Sequence, residues 1–226
     1  MTPRKSGWLV ALAFLLPVAA WCAPKTHVVA LGAARREPYS AASDPAGARK
    51  DETELKVRPL VVDGRVKEWT TGEAHDVTDR SFAVRRAVRL NDALPADHGE
   101  HWVWQRGPWL LVDRTSGKVA ALRLPDFDPA VSEAVWFRDY AAYCGVNTSG
   151  KQLMAVVAQV EGRRPLLSRK LQSWDAADHP SPVCAPAVWQ REPLRVSFRL
   201  TGGADVSFDL VGTSAVLVED DDSPEQ

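Results

Sequence analysis

Five consecutive residues, Asp97-His98-Gly99-Glu100-His101, place two imidazoles and two carboxylates within reach of one point. Imidazole nitrogens and carboxylate oxygens suit zinc and related ions, so His98, Glu100 and His101 are candidate metal ligands. The spacing is not that of a zinc protease, which needs two histidines four apart on a helix with a glutamate beside the first. Gly99 and the nearby Pro95 set the group on a loop, where a solvated tip is the plainer reading. Asp126-Phe127-Asp128-Pro129 alternates acids as a calcium loop does. It lacks the glycine and the further oxygens such a loop needs, and a proline-framed turn accounts for it.

Aromatic residues offer a second chemistry. Beyond residue 23 stand Trp69, Trp102, Trp104, Trp109, Trp136, Trp174 and Trp189. Indole joins a large apolar area to one N–H donor, which suits saccharide stacking and protein interfaces. Trp102 and Trp104 are two apart in a strand-like run, so both face one side. If that side is core they are packing residues; if it is exposed they form a flat platform. Trp109, Trp136, Arg138 and Tyr140 complete the candidate ligand-binding set. Arg138 and Asp139 are neighbours, so in a strand they point to opposite faces, and an inward one needs a partner.

No nucleophile elbow, phosphate loop or dinucleotide fingerprint occurs, so no cofactor is expected and no catalytic signature is found. The net charge is −1, and Arg85-Arg86 and Arg163-Arg164 are short, isolated basic runs. Nucleic acid is therefore not an expected partner. The residues point first to a non-enzymatic binding or accessory domain of a bacterial-type cell envelope, with a protein or saccharide partner. An envelope hydrolase, with or without a metal, and a structural accessory of a larger assembly are the alternatives.

The elements that must hold these side chains read as mainly β. Short apolar runs are divided by turn signals throughout residues 55–218, and helical spacing over three turns is absent. Asp63-Gly64 between two such runs is a hairpin signal, because both turn residues need positive φ. Thr115-Ser116-Gly117 and Asn147 to Gly150 mark two more turns, and Trp136 to Val146 reads as one strand. Two echoes suggest a repeated unit: Trp104-Gln105-Arg106-Gly107-Pro108 with Trp189-Gln190-Arg191-Glu192-Pro193, and Thr115-Ser116-Gly117-Lys118 with Thr148-Ser149-Gly150-Lys151. A sandwich or an incomplete propeller-like set of antiparallel hairpins is expected.

Arg4 and Lys5 precede 13 apolar residues, Trp8 to Ala20, and small residues follow. That is the layout of a cleaved export signal, and the run is too short for a membrane span. Cleavage is expected between Ala20 and Ala23, giving a leader at 1–23, a polar arm at 24–54, one β domain at 55–218 and an acidic tail at 219–226. The matured chain is expected to have no membrane span and to be periplasmic or secreted. If cleavage removes Cys22, Cys144 and Cys184 remain, and an even pair in an exported chain reads as a disulfide.

Overall fold

The computed structural model describes residues 27–39, 53–96, 98–129, 132–175, 184–200, 203–212 and 214–218. The expected leader and acidic tail lie outside them. Among the described residues the chain is built of antiparallel strands and contains no helix. No helix there is long and apolar enough to cross a membrane.

The first sheet grows from the expected Asp63-Gly64 hairpin. Both residues have positive φ, 51° and 75°, which is the backbone that matches the right-handed twist of the strands they join. Those strands are β3 (Glu54–Val62) and β4 (Arg65–Thr78), followed by β5 (Ser81–Asn91), β6 (Trp102–Asp113) and β7 (Val119–Ala121). On the far edge of β3 lie β1 (Val29–Leu31), against Leu60 to Val62, and β2 (Arg35–Pro38), against Glu54 to Val57. The polar arm expected at 24–54 is thus corrected over its described part. Its apolar start and its arginines form edge strands, because β3 offers unpaired backbone groups there.

This sheet curls until it meets itself. Tyr39, just past β2, makes a parallel bridge to Trp104 of β6, so the ladder runs from β2 through β3, β4 and β5 to β6 and back. Bulges supply the bend: the register slips between Leu60 and Val61, between Thr71 and His75, and between Arg85 and Ala87. An extra residue on one strand raises local twist and turns the strand. Gly107 sits at a close approach of two strands, since a Cβ there would lie 2.8 Å from Val88 Cγ2. Inside the curl, Leu60, Phe82, Val84, Leu110 and Val112 form one cluster, and Tyr39, Leu55, Val57, Ala87 and Trp104 another.

The second sheet comprises β8 (Val135–Phe137), β9 (Tyr140–Val146), β10 (Gln152–Gln159) and β11 (Leu167–Ser173), paired in sequence order. Both of its faces are covered. Ala141, Tyr143, Val156 and Ala158 pack against Ala83 and Trp109 of the first sheet. Ala142, Cys144, Leu153, Ala155 and Val157 pack against Val196, Phe198, Phe208 and Leu210. These last belong to the third sheet, β12 (Val188–Gln190), β13 (Arg195–Phe198), β14 (Val206–Val211) and β15 (Ser214–Val218). The three sheets are therefore stacked layers with the second in the middle. The Cys144–Cys184 disulfide, with Cα atoms 6.3 Å apart, fastens β9 to the approach of the third sheet.

Two sequence expectations need correction. The run from Trp136 to Val146 is two strands, β8 and β9, with Arg138-Asp139 as the turn and Arg138 at φ 53°. No glycine or asparagine announces that turn. The tryptophan echo is not a structural repeat: Trp104 to Pro108 lies within β6, whereas Trp189 to Pro193 leaves the short β12 into a turn. The Thr-Ser-Gly-Lys echo does mark two hairpin turns. Gly117 and Gly150 both have positive φ. Asp113 caps the first turn through the amides of Thr115 and Ser116, and Asn147 the second through those of Lys151 and Gln152.

Candidate functional site

The closing bridge decides the depth of the two neighbouring tryptophans. Trp102 and Trp104 share a side of β6, as alternation requires. Trp104 lies under the Tyr39 bridge and is 3 % exposed. Trp102 lies beyond the bridge, at the start of the strand, and is 38 % exposed. One is packing and the other is surface, although the sequence treats them alike.

Beside Trp104 the curl opens into a pocket of about 330 Å³. Its walls come from β2, β4, β5 and β6. Trp69 of β4 meets Trp104 edge-to-face at 5.6 Å between ring centroids. The Arg35 guanidinium lies 4.5 Å from the centroid of Trp69, and its Nε donates to Glu37 at 2.7 Å. Also lining the pocket, Arg86 Nε donates to Glu68 at 2.9 Å. Ala87 and Val88, between Arg86 and Arg89 in sequence, add apolar lining.

Arg89 stands apart from the other two arginines. It is opposite Trp104 in the ladder, and its guanidinium lies over the Trp102 ring, 4.6 Å from the centroid. Arg35 and Arg86 each have a carboxylate; Arg89 has an indole in its place. A guanidinium carries five donors in a planar fork. A guanidinium held against an aromatic ring keeps its N–H donors available for other acceptors. Three guanidiniums and one carboxylate line the pocket, so it is donor-rich and favours an anion.

The remaining expected site residues do not join this pocket. Trp109 and Trp136 meet edge-to-face at 5.0 Å in the layer between the first and second sheets. His75 stacks on Trp136 at 5.3 Å and donates from Nε2 to the Arg138 carbonyl. Among the described residues, neither indole N–H of the Trp109–Trp136 pair has a hydrogen-bond partner. The Arg138 side chain is exposed on its turn beside Phe137. Tyr140 packs into the core between the second and third sheets. The six proposed ligand contacts thus divide among four places: the curl, the layer between the first and second sheets, an exposed turn, and the core between the second and third sheets.

The expected metal set does not assemble either. His101 Nδ1 pairs with Asp92, and Glu100 accepts the Trp102 indole N–H at 2.7 Å. Among the described residues no group of three His, Cys, Asp or Glu side chains could hold an ion. The acidic run at Asp126 serves packing. Asp126 has φ 54°, its carbonyl accepts the Val146 amide, and a Cβ at Gly145 would lie 2.4 Å from that carbonyl oxygen. Tyr143, fully buried, donates to the Pro125 carbonyl at 2.5 Å. Burial, helped by the Asp126 charge, pushes its hydroxyl far above the usual phenol range, so it remains a donor.

What the sequence missed was the arginines. Arg35, Arg86 and Arg89 are scattered over 55 positions and gain meaning only from the strand register. The available signal was the pairing of β5 with β6, but the residues joining them, 92–101, are too many for a turn type to fix the register. No protein-family model, no curated protein and no solved structure matches this chain.

Proposed function

We propose that this chain is a non-catalytic binding domain that takes an anionic partner in the pocket beside Trp104, and that it works in the periplasm or outside the cell. The observation that carries the reading is Arg89. A guanidinium over the exposed Trp102 ring, with no carboxylate partner among the described residues, beside two more arginines and an indole wall, is a prepared anion receptor. The disulfide between Cys144 and Cys184 supports the extracytoplasmic setting, because such bonds persist in oxidising compartments.

The test is a titration of the whole chain with dextran sulfate, polyglutamate and a polyuronate, read by tryptophan emission and calorimetry. At least one polyanion should bind, and Arg89→Ala should weaken it about tenfold, the worth of about one charge-assisted contact. If none binds, or if Arg89→Ala binds as well as the unaltered chain, the pocket is not the receptor.

A further inference from the structure

We infer that the ligand class of this pocket is an acidic polysaccharide whose sugar rings carry carboxylates. The inference rests on the anion-receptor reading above and narrows it. Three features of the walls must be matched together. The first is the Arg89 fork beside the Trp102 ring, whose planar set of N–H donors matches a planar carboxylate in two parallel hydrogen bonds.

The second is Glu68. Its Oε2 accepts from Arg86 Nε, and a carboxylate has acceptor capacity for more than one donor. The side chains of polyglutamate would present only like charge to it, and full sulfation of a polymer would remove the hydroxyl donors. A sugar hydroxyl is an uncharged donor, and one ring can carry both hydroxyl and carboxylate. The third is the apolar part: Trp69, Ala87 and Val88 line the same pocket as the charged groups. The C–H face of a pyranose suits an indole surface, whereas a flexible acidic peptide chain brings no comparable flat face.

Size and direction agree. A pocket of about 330 Å³ is at the lower end for small-molecule sites. That leaves room for about one or two hexose-sized rings. Beyond it, Trp102 offers a second platform on the same side of β6, about 6.6 Å along the strand from Trp104. Arg89 lies between pocket and platform, so a chain of rings crossing both would pass its guanidinium. The ligand is thus a polymer segment, not a closed-in metabolite.

The experiment compares four probes on the intact chain: polygalacturonate, its methyl ester, polyglutamate and a single-stranded polynucleotide. Polygalacturonate should bind about tenfold or more tighter than each of the others. Arg89→Gln and Glu68→Gln should each weaken it, and Trp102→Ala should weaken long oligomers more than a disaccharide. Equal binding of polyglutamate or polynucleotide overturns the sugar class while leaving an anion receptor in place, whereas equal binding of the uncharged methyl ester overturns the carboxylate requirement and the anion-receptor reading with it. Unaltered polygalacturonate binding in both Arg89→Gln and Glu68→Gln overturns the class as well. Failure of every probe overturns this inference and the anion-receptor reading together. Arg89 is exposed on the surface, so its variant is expected to fold.

Discussion

The middle sheet and the curl of the first sheet solve opposite problems with the same kind of strand. In the middle sheet, successive residues of β9 and β10 face two different cores, and almost none reaches solvent. Its sequence is accordingly a continuous apolar run, as in any strand covered on both faces. In the curl, the ladder bends round a partly filled interior and leaves its mouth edged by guanidiniums and indoles. The lesson is a division of labour: cohesion is concentrated where side chains have no freedom, and recognition where the bent sheet leaves a gap.

That contrast can be broken by mutation. The largest stability loss should come from removing the Cys144–Cys184 bridge with paired alanines. A bridge over a sequence separation of 40 is worth about 4 kcal/mol in the chain-entropy account, and urea melts of both forms measure it. Next, Leu153→Ala empties a wholly buried site between the second and third sheets and should cost about 3 kcal/mol. An equal loss from Trp102→Ala would erase the proposed division. Tyr143→Phe deletes the donor to Pro125 and should cost about 1 kcal/mol without touching binding. At the mouth, Arg89→Ala should leave stability within about 0.5 kcal/mol while polyanion binding falls.

The smallest effect is a pH effect. Hydrogen bonds from Arg195 hold the Asp209 carboxyl below its ordinary 3.8, and the amides of Ser116 and Thr115 do the same for Asp113. A lowered folded value means stabilisation that is present above pH 3.8 and lost as the pH falls through the folded values. Asp209→Asn and Asp113→Asn should therefore flatten part of the acid limb in a plot of melting temperature against pH. They should leave neutral-pH binding alone, since neither residue lines the mouth.

The strand character, the Asp63-Gly64 hairpin and the Cys144–Cys184 pairing could be read directly, because each depends on local chemistry or on a count of thiols. The turn at Arg138-Asp139 could not, since a non-glycine residue at φ 53° carries no compositional mark. The different fates of Trp102 and Trp104 were illegible for a deeper reason: a bridge from Tyr39, 65 positions away, sets them. The same holds for Trp109 and Trp136, whose meeting depends on how two sheets stack. His101 and Glu100 read as ligands while their own partners, Asp92 and the Trp102 indole, were not visible in the sequence.

The two-faced middle sheet also makes the molecule a laminate. Peeling either outer layer bares half of the same inner ply, Tyr143 and Val156 on one side or Leu153 and Val157 on the other. Delamination on one side therefore leaves a tacky surface that invites clumping with other copies. Resistance to aggregation in this protein depends on both seams staying closed at once, and the sulfur clasp guards only one of them.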